Sequence, residues 1–326
     1  MPAGVVPLPP PSAEEGFGSP RGISPGDHDG DGRVDLAFGL RGLVVGDSDL
    51  RPGATFQSFQ GAAGFAAGPV VISEASPTRL ASGDLDGDGR TDVAVAGEPV
   101  GGGEAGFLPP AFWVDYQGPE PDVRQVLGFD SVADIAVADA NGDGRLDLLA
   151  TRNVGGAPTL FIYRDHDPAT GRLTGTPVSV ALGVAGTGLR IAAGDVTGDG
   201  LADVVVALGG AAGAVLLVQD PAADGGFAAP VAIAIEGASS VAVGDLDGDG
   251  RLDVAVARGG AALPADRRRI AILRQDAGGR LARVASDLDA LAPVVAVSIA
   301  DLNGDGRADV LVQTRSPNAV VVFERR

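Results

Sequence analysis

A nine-residue pattern rich in Asp and Gly recurs six times, and its spacing constrains the fold more than any other feature. The first copy is Asp27-His28-Asp29-Gly30-Asp31-Gly32-Arg33-Val34-Asp35, and the others begin at Asp84, Asp139, Asp195, Asp245 and Asp301. The intervals between first aspartates are 57, 55, 56, 50 and 56 residues, and the two chain ends together supply about one more period. Repeats of this length stack into one continuous body, and a period that closes on itself predicts a ring of equivalent units.

Each copy carries an oxygen-bearing side chain at positions 1, 3, 5 and 9, and Gly at positions 4 and 6. A hard divalent cation such as calcium takes six to eight oxygen ligands in flexible geometry. Alternate side chains converge on one point only if the backbone turns sharply, and Gly at position 6 permits this, since φ > 0 costs it little. The position 7 carbonyl then offers a further ligand, with its own side chain facing water.

The predicted ligand sets follow loop by loop. They are Asp27, Asp29, Asp31, Arg33 and Asp35; Asp84, Asp86, Asp88, Arg90 and Asp92; and Asp139, Asn141, Asp143, Arg145 and Asp147. The second half of the chain has Asp195, Thr197, Asp199, Leu201 and Asp203; Asp245, Asp247, Asp249, Arg251 and Asp253; and Asp301, Asn303, Asp305, Arg307 and Asp309. The Arg and Leu residues would bind by backbone carbonyl. Thr197 is neutral and short, so the fourth loop is expected to bind most weakly. The cofactor expected is Ca²⁺, about six ions, one per unit.

An EF-hand opens with the same pattern but needs a bidentate Glu at position 12 on a following helix. Position 12 here is Phe38, Val95, Ala150, Val206, Val256 or Val312, inside short β-branched runs such as Asp253-Val254-Ala255-Val256. Those runs read as strands, as do the residues before each loop, such as Ser240–Gly244. The loop therefore joins two strands of a hairpin.

The fourth unit shows four strand-like runs, Leu189–Ala193, Asp203–Ala207, Val215–Gln219 and Phe227–Ile235. Four strands per unit of this length predict a β-propeller blade. The fold class expected is all-β, a six-bladed propeller of four-stranded blades forming one domain over residues 1–326, with seven blades as the alternative. The last unit has three runs, Val294–Ala300, Asp309–Gln313 and Ala319–Phe323. Its outer strand is expected from the N-terminus, at Val5–Leu8 or Gly16–Ile23. The first strand of each unit is rich in Ala, Gly and Ser, as a crowded central axis requires.

The net charge of −19 belongs mostly to the loops, which hold 21 of the 43 carboxylates. Six bound Ca²⁺ would bring it to −7. Such acidity argues against nucleic acid, which needs a basic face. Cys is absent, so no disulfide contributes. No apolar run reaches membrane-spanning length, and no signal peptide is visible at Met1-Pro2-Ala3-Gly4.

Gly-Asp-Leu-Asp-Gly-Asp-Gly-Arg followed by Asp-Val-Ala-Val, with an upstream Gly226-Phe227-Ala228-Ala229-Pro230-Val231, resembles the FG-GAP/VCBS repeat of integrin α-subunit propellers and many bacterial secreted proteins. The resemblance covers essentially the whole chain. It implies calcium between the first two strands of each blade, an extracellular or cell-surface location, and adhesion or ligand binding. This sequence departs from the family in having six units rather than the usual seven, and in carrying the loop in every unit.

The family's partners bind the face opposite the calcium loops, built from the connections after the second and fourth strands. The longest here is Gly97–Pro110, with Gly39–Gly53 and Gly259–Arg269 next. It holds Phe107 and leads to Trp113 and Tyr116, which could form a stacking platform for a glycan or a protein hot spot. The alternative is that Phe112 and Trp113 pack between blades. The partner expected is a glycan or a protein. A strict lectin is a second reading, although Trp113 has no aromatic counterpart at Val218 or Leu273.

A polysaccharide lyase or dehydratase is a third reading. His28 and His166 are the only histidines, and Lys and Cys are absent. The remaining acid/base candidates, Asp115, Glu98, Glu104, Tyr116 and Tyr163, show no telling spacing. His28 is expected to face outward from its loop, and His166 to sit in a polar hairpin turn. On these counts the chain is expected not to be an enzyme.

Overall fold

The computed structural model describes residues 20–45, 49–51, 53–61, 64–73, 75–101, 107–117, 123–128, 130–186, 189–209, 213–220, 226–259, 269–284, 288–289, 294–302, 307–315 and 318–323. No α-helix occurs among them. Six antiparallel sheets follow one another along the chain, the blades of a six-bladed β-propeller.

Blade 1 is ordered Pro20–Gly26, Asp35–Leu40, Ala54–Gly61, Gly64–Ile72. Blade 2 is ordered Ser76–Gly83, Asp92–Glu98, Ala111–Tyr116, Val123–Gly128. Blade 3 has Asp134–Ala138, Asp147–Val154, Ala157–Tyr163 and Val178–Ala181. Blade 4 has Arg190–Gly194, Asp203–Ala207, Ala214–Leu217 and Val231–Ile233. Blade 5 has Ala238–Gly244, Asp253–Arg258, Arg269–Gln275 and Leu281–Arg283, with Leu288–Asp289 also paired to its third strand. Blade 6 has Val294–Ala300, Asp309–Arg315 and Asn318–Phe323.

The strands expected in blades 4 and 6 are present with ends shifted by a few residues. Of the two candidates for a closing strand, Val5–Leu8 lies outside the described residues. The described part of Gly16–Ile23 belongs elsewhere: Pro20–Gly26 is the first strand of blade 1, with Ile23 opposite Phe38.

The second strand of each blade explains why alternation fails as a guide here. Asp203–Ala207 and Asp92–Gly97 are buried at every position. A strand covered on both faces reads as a continuous apolar run, which is how Asp-Val-Val-Val-Ala reads. Fourth strands are covered less, so Val178–Ala181 alternates between half-buried and exposed.

Among the described residues, backbone contacts group those from Pro20 to Ile135 into one compact unit and those from Ala136 onward into another. In the first, Ala37, Leu80, Val93, Val95, Ala111 and Trp113 form a core shared by blades 1 and 2. Gly22 shows why first strands are small: a Cβ there would lie 2.8 Å from Leu80 Cδ1 and 3.1 Å from the Thr78 carbonyl. In the second unit, Val205, Val241, Val254, Val256 and Leu273 pack together, as do Leu246, Ile270, Ile272, Val310 and Val312.

Phe38 stacks on Phe56 across blade 1, with ring centroids 6.1 Å apart and both rings buried. Phe38→Ala is expected to cost about 3–5 kcal/mol of stability, the usual range for a buried Phe. Urea unfolding followed by circular dichroism would measure it, and a loss under about 1 kcal/mol would contradict the packing described.

Candidate metal centres

Each nine-residue loop joins the first and second strands of its blade, and backbone amides shape it around two carboxylates. At position 1, Asp27 Oδ1 accepts the N–H groups of Gly30 (2.8 Å) and Asp31 (3.0 Å), and Oδ2 accepts that of Gly32 (2.8 Å). Asp84, Asp139, Asp195 and Asp245 hold their own Gly pairs in the same way. Both glycines are left-handed, with φ of 78° at Gly30 and 84° at Gly32. A Cβ at either would meet nothing within 4 Å, so the requirement is conformational and not spatial. Position 4 thus needs Gly as much as position 6 does.

At position 9, Asp35 is fully buried. Its Oδ2 accepts the N–H of His28 at 2.9 Å, and its Oδ1 accepts that of Gln60, on the third strand, at 2.7 Å. The pattern recurs with Leu85 and Gln117 on Asp92, Val196 and Gln219 on Asp203, and Leu246 and Gln275 on Asp253. One carboxylate therefore ties the loop to the third strand. A Gln in four of the blades marks this point in the sequence, a signal available but overlooked. Blade 3 has Arg164 there, and Asp147 Oδ1 is buried with no hydrogen-bond partner.

Carboxylate oxygens of positions 1, 3 and 9 converge within 4.8 Å of one another in three loops: Asp27, Asp29 and Asp35; Asp84, Asp86 and Asp92; Asp245, Asp247 and Asp253. Position 5 lies outside these clusters and bonds within the loop. Asp31 Oδ1 accepts the Arg33 N–H at 2.9 Å, and its Oδ2 accepts from Arg33 Nη1 at 2.6 Å. The Arg33 side chain faces water as expected, 52% exposed, while it lies along the loop and reaches the Gln60 carbonyl. Arg251 does the same with Asp249 and the Gln275 carbonyl.

In the third loop Asn141 stands at position 3 and bonds Asp143, and in the fourth Thr197 takes that place. In the sixth, Asn303 and Asp305 lie outside the described residues. An all-oxygen set with three carboxylates, at least one buried oxygen lacking a partner (Asp247 Oδ1), and a loop wound by two left-handed glycines fits a hard cation of calcium type.

The electrostatics agree with that fit. Burial, with the neighbouring Asp86 and Asp84 charges, pushes the Asp92 carboxyl up to about 7. Burial, with Asp143 and Asp139, does the same to Asp147, also to about 7. Blade 5 differs, because Arg274 Nη1 lies 2.9 Å from Asp247 Oδ2. The corresponding residues in blades 1 to 4 are Phe59, Tyr116, Tyr163 and Val218.

Two expectations about side chains are corrected. His28 does not face outward: it is 8% exposed, because position 2 points into the core, where the other loops place Leu85, Ala140, Val196 and Leu246. Trp113 and Tyr116 form no platform, since each is 2% exposed, and the alternative holds, with Phe112 buried as well and Trp113 packed between blades. Trp113 packs into the core between blades 1 and 2, and Gly97 makes room for its indole, a Cβ there lying 3.2 Å from Cζ3. The Phe107 side chain lies outside what is described, while its backbone forms a short hairpin strand, Phe107–Leu108, with Val100–Gly101. His166 sits in a hairpin as expected, opposite Leu173, with Nε2 3.1 Å from the Leu146 carbonyl.

The raised carboxyls set a pH dependence. With folded values near 7 against 3.8 unfolded, the metal-free native state holds more protons than the unfolded chain between about pH 4 and 7. Stability without calcium should therefore fall as pH rises through that window, while calcium affinity should rise and binding should release protons. Thermal melts in chelator from pH 4 to 8, and calorimetry in buffers of differing ionisation enthalpy, would check both signs. Separately, Arg274→Gln removes a cation competing for Asp247. It should raise this loop's affinity for a hard cation by roughly fivefold, about 1 kcal/mol for a part-exposed ion pair. Stepwise chelator competition would show this, and unchanged binding would mean that Arg274 does not restrain that loop.

The FG-GAP-like repeat profile matches residues 139–206 and 195–256, and the FG-GAP repeat profile matches residues 76–107. No curated protein matches the chain. Among solved structures, the chain is similar to the periplasmic gluconolactonase PpgL of Pseudomonas aeruginosa, with 18% identity and a TM-score of 0.56, covering 94% of this chain and 81% of that one. It is also similar to a 6-phosphogluconolactonase, so named as putative, from Bacteroides uniformis, with 14% identity and a TM-score of 0.55, covering 94% and 80%. The exotype rhamnogalacturonan lyase YesX aligns over 94% of this chain and 72% of its own at 15% identity, but a TM-score of 0.43 supports no comparison. The two lactonases correct the expectation of a chain that is not an enzyme. Proteins named as enzymes are built on this fold, so a shortage of His, Lys and Cys does not carry that conclusion. The repeat matches and the blades agree on the family: the chain is an FG-GAP repeat protein of β-propeller fold.

Proposed function

We propose that the chain is a calcium-stabilised binding module that works outside the cytoplasm and recognises a glycan or a protein. The observation that carries this reading is the convergence of three carboxylates in the loops at Asp27, Asp84 and Asp245. Unit charges 4.8 Å apart repel by roughly 3 kcal/mol per pair at an effective dielectric of 20. A fold that keeps such groups together needs a cation to relieve them, and extracellular fluids supply calcium at concentrations that suit modest-affinity sites.

The chain's own residues do the rest. Position 1 winds the loop on its glycine amides, position 9 pins it to the third strand, and position 3 completes the cage. The loops at Asn141 and Thr197 offer fewer charges and would hold the ion more weakly. Bound calcium supplies the positive charge that lets the inner hairpins stay closed, so the connections on the opposite face are held at fixed spacing. On that face the Leu43–Val45/Asp49–Arg51 hairpin lies against the strand Val100–Gly101, a paired surface within the first unit.

Melting in calcium and in chelator tests the metal half of this reading. The Tm should drop by about 10 °C or more in chelator, because several ions bind only the folded state. Equal melting temperatures, with elemental analysis showing no bound calcium, would sink it. A glycan array probed with calcium-loaded protein tests the recognition half. Binding to a narrow glycan set, lost on chelation, is the expected result, and a blank array directs the search to protein partners.

A further inference from the structure

We propose that the cleft between blades 1 and 2 binds a single neutral sugar ring, an inference that rests on the binding-module reading. The cleft encloses about 230 Å³ and is lined by Thr55, Gln57 and Val71 of blade 1 and by Asp115, Gln117 and Arg124 of blade 2. Pockets for drug-sized ligands run from about 300 to 1,000 Å³, so this one suits one small ring.

Its charged pair is particular to blade 2. Asp115 lies two residues before the Gln that marks the end of the third strand. The matching residues in blades 1, 4 and 5 are Ser58, Leu217 and Leu273, all buried and uncharged. Only blade 2 puts a carboxylate there, at 8% exposure. A buried ion pair is weak evidence for stability and is often no better than replacing both partners by apolar residues.

The pair is also held rigidly. Arg124 grips Asp115 with Nε on Oδ1 at 2.6 Å and Nη2 on Oδ2 at 3.0 Å. Trp113 Nε1 donates to Asp115 Oδ2 at 3.0 Å, and its ring lies 5.1 Å from the guanidinium carbon. Trp113 therefore serves the cleft from behind, as an anchor and not as a stacking face.

The chemistry selects the ligand class. Asp115 and Arg124 cancel, so the cleft offers no net charge to an ion. What remains is Arg124 Nη1, a spare Asp115 lone pair, the Thr55 hydroxyl and the Gln57 and Gln117 amides, whose side chains make no hydrogen bond among the described residues. These are interleaved donors and acceptors. A polyol matches them, since each hydroxyl both gives and accepts.

Trp113 is the sole tryptophan, so its emission reports on the cleft. Calcium-loaded protein would be titrated with a panel of neutral methyl glycosides, with glucuronate and glucosamine as charged controls. Fluorescence and saturation-transfer NMR would be read together. At least one neutral glycoside should shift Trp113 emission saturably, and Asp115→Leu and Gln57→Ala should each weaken it tenfold or more; Gln57→Ala should leave melting unchanged, while Asp115→Leu, which strips Arg124 and the Trp113 indole N–H of their partner, should lower it. Gln57→Ala keeps the test valid if Asp115→Leu fails to fold. A glycan-array hit that leaves Trp113 emission unmoved would overturn this site while leaving the module reading in place. Charged sugars binding better than neutral ones, or full binding by both variants, would overturn it too. Silence from the whole panel with folded, calcium-loaded protein would do the same.

Discussion

The buried aspartate that closes each loop is the interaction on which the rest of a blade depends. Asp35, Asp92, Asp203 and Asp253 each accept backbone N–H groups from the loop's second residue and from the end of the third strand. A carboxylate at 0–1% exposure is tolerable only with such partners. It fixes three strands at one point, and it places its charge beside those of positions 1 and 3. The same group that organises the hairpin thus creates the electrostatic demand for a cation. The hairpin's anchor and the candidate metal site are one device.

The blades share this device and differ in how they temper it. Blade 3 trades a carboxylate for Asn141 and leaves one Asp147 oxygen without a partner. Blade 4 substitutes Thr197. Blade 5 keeps all its carboxylates and sets Arg274 against one of them. Blade 2 keeps the full set and uses the adjacent third strand for something else, the Asp115–Arg124 pair on its inter-blade side. A repeat whose core is set by common requirements is free to vary where those requirements end.

Much of this is legible in the sequence. The turn between strands, the oxygen donors and the blade count all follow from local rules. Left-handed glycines at fixed offsets and β-branched runs act within a few residues, and the period of the repeat is visible directly. The burial of Asp203-Val204-Val205-Val206-Ala207 could also be read, because a strand covered on both faces shows no alternation.

The sequence by itself determined the repeat, the strand–loop–strand unit and the oxygen-bearing residue types of each loop, since each depends on neighbours along the chain. Tertiary structure alone decided where side chains point once blades pack together. An aromatic run such as Phe112-Trp113 reads the same whether it lines a surface or a core, and only the neighbouring blade made Trp113 a buried anchor. His28 turned inward for the same reason. Asp115 and Gln57 lie 58 residues apart in the chain, and no local rule relates them. They share a cleft because successive blades pack face to face, which is a property of the fold and not of any segment within it.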